Sequence, residues 1–127
     1  MRIELVARRP PTVFVTLRGK VRSIETLGIV DTGATWMLIP PDMAEDLGYD
    51  LSEAARLPVV TVGGVIEAPK ISLEEVGVGS CSVSQAEAFC HDIPGGGVAV
   101  LIGLSFLQHF RVSLDFRADW LALEPYS

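Results

Sequence analysis

The stretch Ile29-Val30-Asp31-Thr32-Gly33-Ala34-Thr35 constrains this chain more than any other. Residues 27–30 read as a buried strand, and Asp31 follows them directly, ahead of a small, turn-forming Thr-Gly pair. A carboxylate at the end of a buried strand is costly unless it is hydrogen-bonded or functional. A chance Asp-Thr-Gly turns up in roughly a few per cent of chains this long. The bland alternative is a solvated Asp opening a turn, which uses the same three residue types. The tripeptide alone leaves the two level, so its surroundings decide.

Those surroundings read as strands and turns. Residues 3–7 form a short strand closed by Arg8-Arg9-Pro10-Pro11, a basic pair too small for a nucleic-acid or lipid patch. Residues 12–17 place Val13, Val15 and Leu17 on one face, Arg18-Gly19-Lys20 turns, and residues 21–30 return. This hairpin delivers Asp31 at the end of its second strand. Residues 36–39 are another apolar strand, and 41–48 read as a short helix, with Pro41 and Asp42 leading and Gly48 closing. Over 59–67, two β-rich runs flank Gly63-Gly64, a two-residue hairpin signal. Its tip lacks side chains and can approach a ligand's backbone closely.

Residues 70–78 and 82–90 pair across Gly79-Ser80, Pro94-Gly95-Gly96-Gly97 is a loop, and 98–103 are a fully buried strand. Leu104, Leu107 and Phe110 have the spacing of a short helix over 104–110. Residues 111–116 alternate, Arg117-Ala118-Asp119 turns, and the chain ends in a strand from Trp120. Turns roughly every ten residues predict an all-β barrel or sandwich.

A chain of 127 residues, 49% hydrophobic, can bury one core, so a single domain over 1–127 is expected. A net charge of −6 argues against nucleic acid or an acidic membrane surface as partner. Cys81 and Cys90 are too few for a disulfide framework and lack zinc-ligand spacing, which suits a reducing, cytoplasmic setting or indifference to redox state. The opening residues carry no signal-peptide pattern, and the longest apolar run is about half a membrane span, so a soluble protein is expected. His91 beside Cys90 and Asp92 has no second ligand group, so neither a metal nor another cofactor is expected. His109 reads as a surface residue on the short helix, and Trp36 as core or a pocket floor. No G-x-S-x-G nucleophile motif is present.

Three features fall in one order: apolar-apolar-Asp-Thr-Gly-Ala at 29–34, the glycine-tipped hairpin at 59–67, and Leu101-Ile102-Gly103 leading into a helix. Together they resemble the retropepsin family, the retroviral-type aspartic proteases and their single-domain bacterial relatives. The resemblance implies a closed retropepsin-like (acid protease) β-barrel with one or two short helices, active as a homodimer. One Asp-Thr-Gly per chain agrees with that, because the chemistry needs two carboxylates. The implied activity is aspartic endopeptidase action on an extended, largely apolar peptide or protein substrate. Two like charges a few ångström apart share a proton; the ionised member activates water and the protonated one hydrogen-bonds the carbonyl oxygen.

By the same resemblance, Asp31 is catalytic, Thr32 joins the two active-site turns across the dimer axis, and Gly33 turns its N–H to the carboxylate. Ala34, Val62, Gly63, Gly64, Val65 and Ile66 would contact substrate, the last five as a closing flap. Val30, Leu38 and Ile102 could neighbour the pocket, but each reads first as plain core. Ala34 offers the carboxylate no hydroxyl, which implies weakly acidic working conditions. The terminal strands would pair across the dimer. The alternative is a catalytically silent dimerisation or peptide-binding module with the same fold.

Overall fold

The computed structural model describes residues 1–8, 10–61, 63–93 and 100–126. Strand β1 spans Arg2–Glu4, β2 Ala7–Arg8, β3 Pro11–Arg18, β4 Ser23–Val30 and β5 Met37–Ile39, followed by helix α1, Pro41–Asp46. Strand β6 spans Arg56–Thr61, β7 Gly64–Val78, β8 Cys81–Cys90 and β9 Val100–Ile102. Helix α2 is Leu104–Leu107, and β10 (Phe110–Asp115) and β11 (Trp120–Pro125) end the chain.

Six strands close a barrel in the order β3-β4-β9-β5-β8-β7, sealed by antiparallel pairing of β7 with β3 at Leu17↔Val76. Alternation explains which faces turn inward. On β3, Val13, Val15 and Leu17 are buried while Phe14 and Thr16 face out. With Met37, Ile39, Leu73 and Ile102 they fill the main core, each side chain stabilising by about 1.5–3 kcal/mol relative to exposure. Helix α1 starts on Pro41 at its first turn and buries Ala44.

The insertion of β9 is what positions the Asp31 turn. It runs parallel to β4 (Ile29↔Leu101, Val30↔Ile102) and antiparallel to β5 (Leu38↔Leu101). Strands β4 and β5, joined by that turn, are therefore held apart by a third strand from far along the chain.

The fold departs from the sequence expectations at several points. The segments expected at 59–67 and 70–78 are joined, because β7 runs unbroken from the hairpin into the barrel. Its register pairs Thr61 with Gly64, so Gly64 belongs to the strand and does not share the turn with Gly63. Gly64, at φ +118°, takes the left-handed position beside that turn, and Thr61 Oγ1 donates to its carbonyl at 2.8 Å. Helix α2 stops at Leu107, and Phe110 opens β10, buried with its ring 5.1 Å from Phe106. His109 is exposed, just past the helix rather than on it.

The terminal strands pair within one chain, not across two. β1 lies on β11 (Ile3↔Leu121), β11 on β10, and Met1's ammonium donates to Leu123 O at 3.2 Å. Leu121 and Leu123 are buried and Ile3 packs against the main core, so the chain's own apolar surface captures its N-terminus. The loop read at 94–97 and the first two residues of the strand read at 98–103 lie outside the described residues.

Candidate active site

Asp31 is held at the end of β4 by its own backbone. Its N–H donates to Ile102 O at 2.9 Å, continuing the β4–β9 ladder by one bond, and its carbonyl accepts from Ala34 N at 3.3 Å. The half-buried carboxylate turns back on this bend, where Oδ1 accepts the Gly33 N–H at 2.8 Å. A side chain at residue 33 would begin 3.2 Å from that oxygen, so glycine leaves the carboxylate room and a bare donor. Among the described residues the other carboxylate oxygen takes no hydrogen bond. It is free for a reacting water or a second acid.

A second layer of bonds fixes the turn from below. Leu104 N donates to Ala34 O and Ser105 N to Thr35 O, both at 2.8 Å. The Ser105 hydroxyl accepts Met37 N–H at 3.0 Å and reaches Glu87 O at 3.3 Å, joining β5, β8 and α2. This close crossing explains the glycine of Leu101-Ile102-Gly103. A Cβ at Gly103 would run into the carbonyl oxygens of Trp36 and Ala34, the latter at 2.7 Å.

Beside Asp31 lies a cavity of about 640 Å³. Trp36, Leu38 and Leu101 supply apolar wall from the sheet, while Val59, Thr61, Gly63 and Ile66 supply the hairpin side. The hairpin is seated by a small cluster in which Val59, Ala68 and Phe89 pack with Trp36, Leu38 and Ile66. Trp36 meets Phe89 edge-on at 5.5 Å. Lys70 Nζ lies 5.3 Å from the Trp36 ring centroid and 2.8 Å from Glu87 Oε2. His91, Asp92 and Ile93 form a further edge, and His91 Nδ1 is 2.8 Å from Asp92 O.

Of the residues singled out in the sequence, Asp31, Gly33, Ala34, Gly63 and Ile66 line this cavity. Thr32 is exposed at the outer bend of the turn. Gly64 and Val65 do not line the cavity, Val65 being 66% exposed, and Val62 lies outside the described residues. Leu38 faces the cavity, whereas Val30 and Ile102 are core. Leu101 faces the cavity as well, since paired residues share a face and Leu101 pairs with Leu38. Thr35, Val59, Val60, Thr61, Leu101 and Ile93 also line it, and ordinary strand or turn composition gave no signal for them.

Among the described residues no group of His, Cys, Asp or Glu is arranged to hold a metal ion. No helix among them is long and apolar enough to cross a membrane. Cys81 and Cys90 are both free and buried, and burial pushes the Cys90 thiol up to about 12, leaving it protonated and unreactive.

A closed barrel with a strand inserted beside an Asp-Thr-Gly turn, under a β-hairpin, is the retropepsin-like fold. The model of the family described as "gag-polyprotein putative aspartyl protease" matches residues 17–109, and the chain belongs to that family. A solved retropepsin-like aspartic protease from Rickettsia conorii is similar at TM-score 0.70 and 23% identity, over 97% of this chain and 88% of that one. No curated protein sequence matches the chain.

Proposed function

We infer that the chain is an aspartic endopeptidase, a single domain over residues 1–127 that acts as a homodimer with one Asp31 from each subunit. The observation that carries this reading is the Asp31 carboxylate itself. It is braced through Oδ1 by Gly33 N–H, free at the other oxygen, and opens onto a cavity walled by apolar side chains. One carboxylate cannot both take a proton from water and present one to the substrate carbonyl. The exposed bend at Thr32 and Gly33 suits a partner's equivalent turn, which would bring the second carboxylate alongside.

In that arrangement the two Asp31 side chains share one proton. The ionised member takes a proton from the attacking water as its oxygen bonds the peptide carbon. The protonated member hydrogen-bonds the carbonyl oxygen as charge develops there, and the leaving amine is protonated as the carbon–nitrogen bond breaks. The β6–β7 hairpin would close over an extended peptide and exclude water, with Gly63 near the peptide backbone and Ile66 against its side chains. Weakly acidic conditions would suit the reaction, since Ala34 adds no hydroxyl donor.

The test is cleavage of a mixed peptide library by the wild type and by Asp31→Asn, at high protein concentration from pH 4 to 7. Cuts between apolar residues by the wild type alone support the reading. A dimeric wild type that binds peptides without cutting them supports the silent module instead.

A further inference from the structure

Charge around the cavity is unbalanced. Of the residues that line it, Asp31 and Asp92 carry negative charge and none carries a fixed positive one. Lys70, beside Trp36, is held by Glu87 at 2.8 Å. Arg56 lines a smaller cavity that His91 and Asp92 also border, and its Nη2 donates to Glu67 O at 3.1 Å. It makes no ion pair with Asp92, and no described residue hydrogen-bonds the Asp92 carboxylate. His91 Nδ1 is engaged with the Asp92 carbonyl, not its side chain.

We propose that this cavity seats a lysine or arginine side chain of the substrate. Its aliphatic stem lies along Trp36, Leu38 and Leu101, and its cation meets Asp92 at the edge. The inference rests on the peptidase reading for its substrate class and sharpens that reading with a specificity residue. The match is one of composition and charge: an apolar wall bordered by an unpaired carboxylate fits a stem with a charged head. A purely apolar side chain would pack on that wall but cover Asp92 without replacing the water it loses. The indole face of Trp36 adds attraction for a cation passing over it.

The experiment uses extended apolar heptapeptides in which one lysine is walked along the chain, each matched to a peptide with norleucine in its place. Binding to Asp31→Asn is read by fluorescence anisotropy at low salt, so Asp92 is the only carboxylate left among the described residues that line the cavity. At one position lysine should bind about fivefold tighter than norleucine, the worth of one partly exposed charge pair. That ratio should fall to about one when Asp92→Asn is added, in a variant whose melting temperature shows that it folds. Equal binding at every position, a preference that survives Asp92→Asn, or no binding at all overturns the proposal. Wild-type cleavage of the same peptides separates the two claims. Cutting without lysine preference removes the proposal and leaves the peptidase. Asp92-dependent lysine binding without cutting removes the peptidase and leaves the pocket.

Discussion

Asp31 and Ile102, 71 positions apart in sequence, are joined by a backbone hydrogen bond of 2.9 Å. It makes the turn that carries the carboxylate the continuation of a strand-to-strand ladder rather than a loose loop. The Asp-Thr-Gly and Leu-Ile-Gly segments therefore form one structural unit. What disturbs the second should be felt at the first.

Gly103→Ala is the most direct probe of that unit. The added methyl meets backbone carbonyls on both sides, which cannot swing away as a side chain would. A loss of about 2–4 kcal/mol is expected, with peptidase activity falling in parallel. Urea denaturation reads the first and peptide cleavage the second.

Ser105→Ala removes the acceptor for Met37 N–H and the link to Glu87 O. Leaving that partly buried donor unpaired should cost about 1–2 kcal/mol. The backbone N–H to Thr35 O stays, but the hydroxyl anchors Met37 two residues past that carbonyl, so kcat should drop more than KM rises. Ser105→Thr, which keeps the hydroxyl, should recover most of both.

The two hairpin glycines should behave differently. Gly64, at φ +118°, has no atom within 4 Å of the position a methyl would take, so Gly64→Ala meets open space and suffers only backbone strain, about 1 kcal/mol. Gly63→Ala meets nothing nearer than Thr61 Oγ1 at 3.9 Å and should be nearly neutral in stability. Thermal melts of the two variants side by side check this.

Stability should decline in alkali through two buried groups. Burial raises the Cys90 thiol to about 12 from an ordinary 9.0, and burial with the nearby Glu74 charge raises the Tyr49 phenol above 10.0. Each group keeps its proton in the folded chain at pH values where the unfolded chain has released it. Their contributions are intact below the unfolded values and are lost as pH climbs through the folded ones. Urea midpoints measured from pH 8 upward should fall, and Cys90→Ala with Tyr49→Phe should flatten the decline.

The Asp31 end of the site was legible because its bonding is local. Asp31, Gly33 and Ala34 lie within four positions of one another, and their bonds run over two or three residues. The cavity walls were less so. Residues 29–30 and 101–102 are apolar without alternation, so nothing in the sequence says which of each pair faces the core. Only the register shows Ile102 inside and Leu101 against the cavity. Gly64 joins the strand and not the turn for a similar reason, since two adjacent glycines permit either placement and the Thr61↔Gly64 pairing settles it. The fate of the N-terminal strand depended on Leu121 and Leu123, more than a hundred residues away.

Whether two chains each supply one Asp31 to a shared site is tested most directly by mixing. Wild type and Asp31→Asn are unfolded together in equal amounts, refolded, and assayed for peptide cleavage against wild type alone at the same total concentration. If the site needs both carboxylates, only dimers with two wild-type chains cut, and activity falls to about a quarter. Activity of about one half would mean that each chain works with its own Asp31, which contradicts a site shared between subunits.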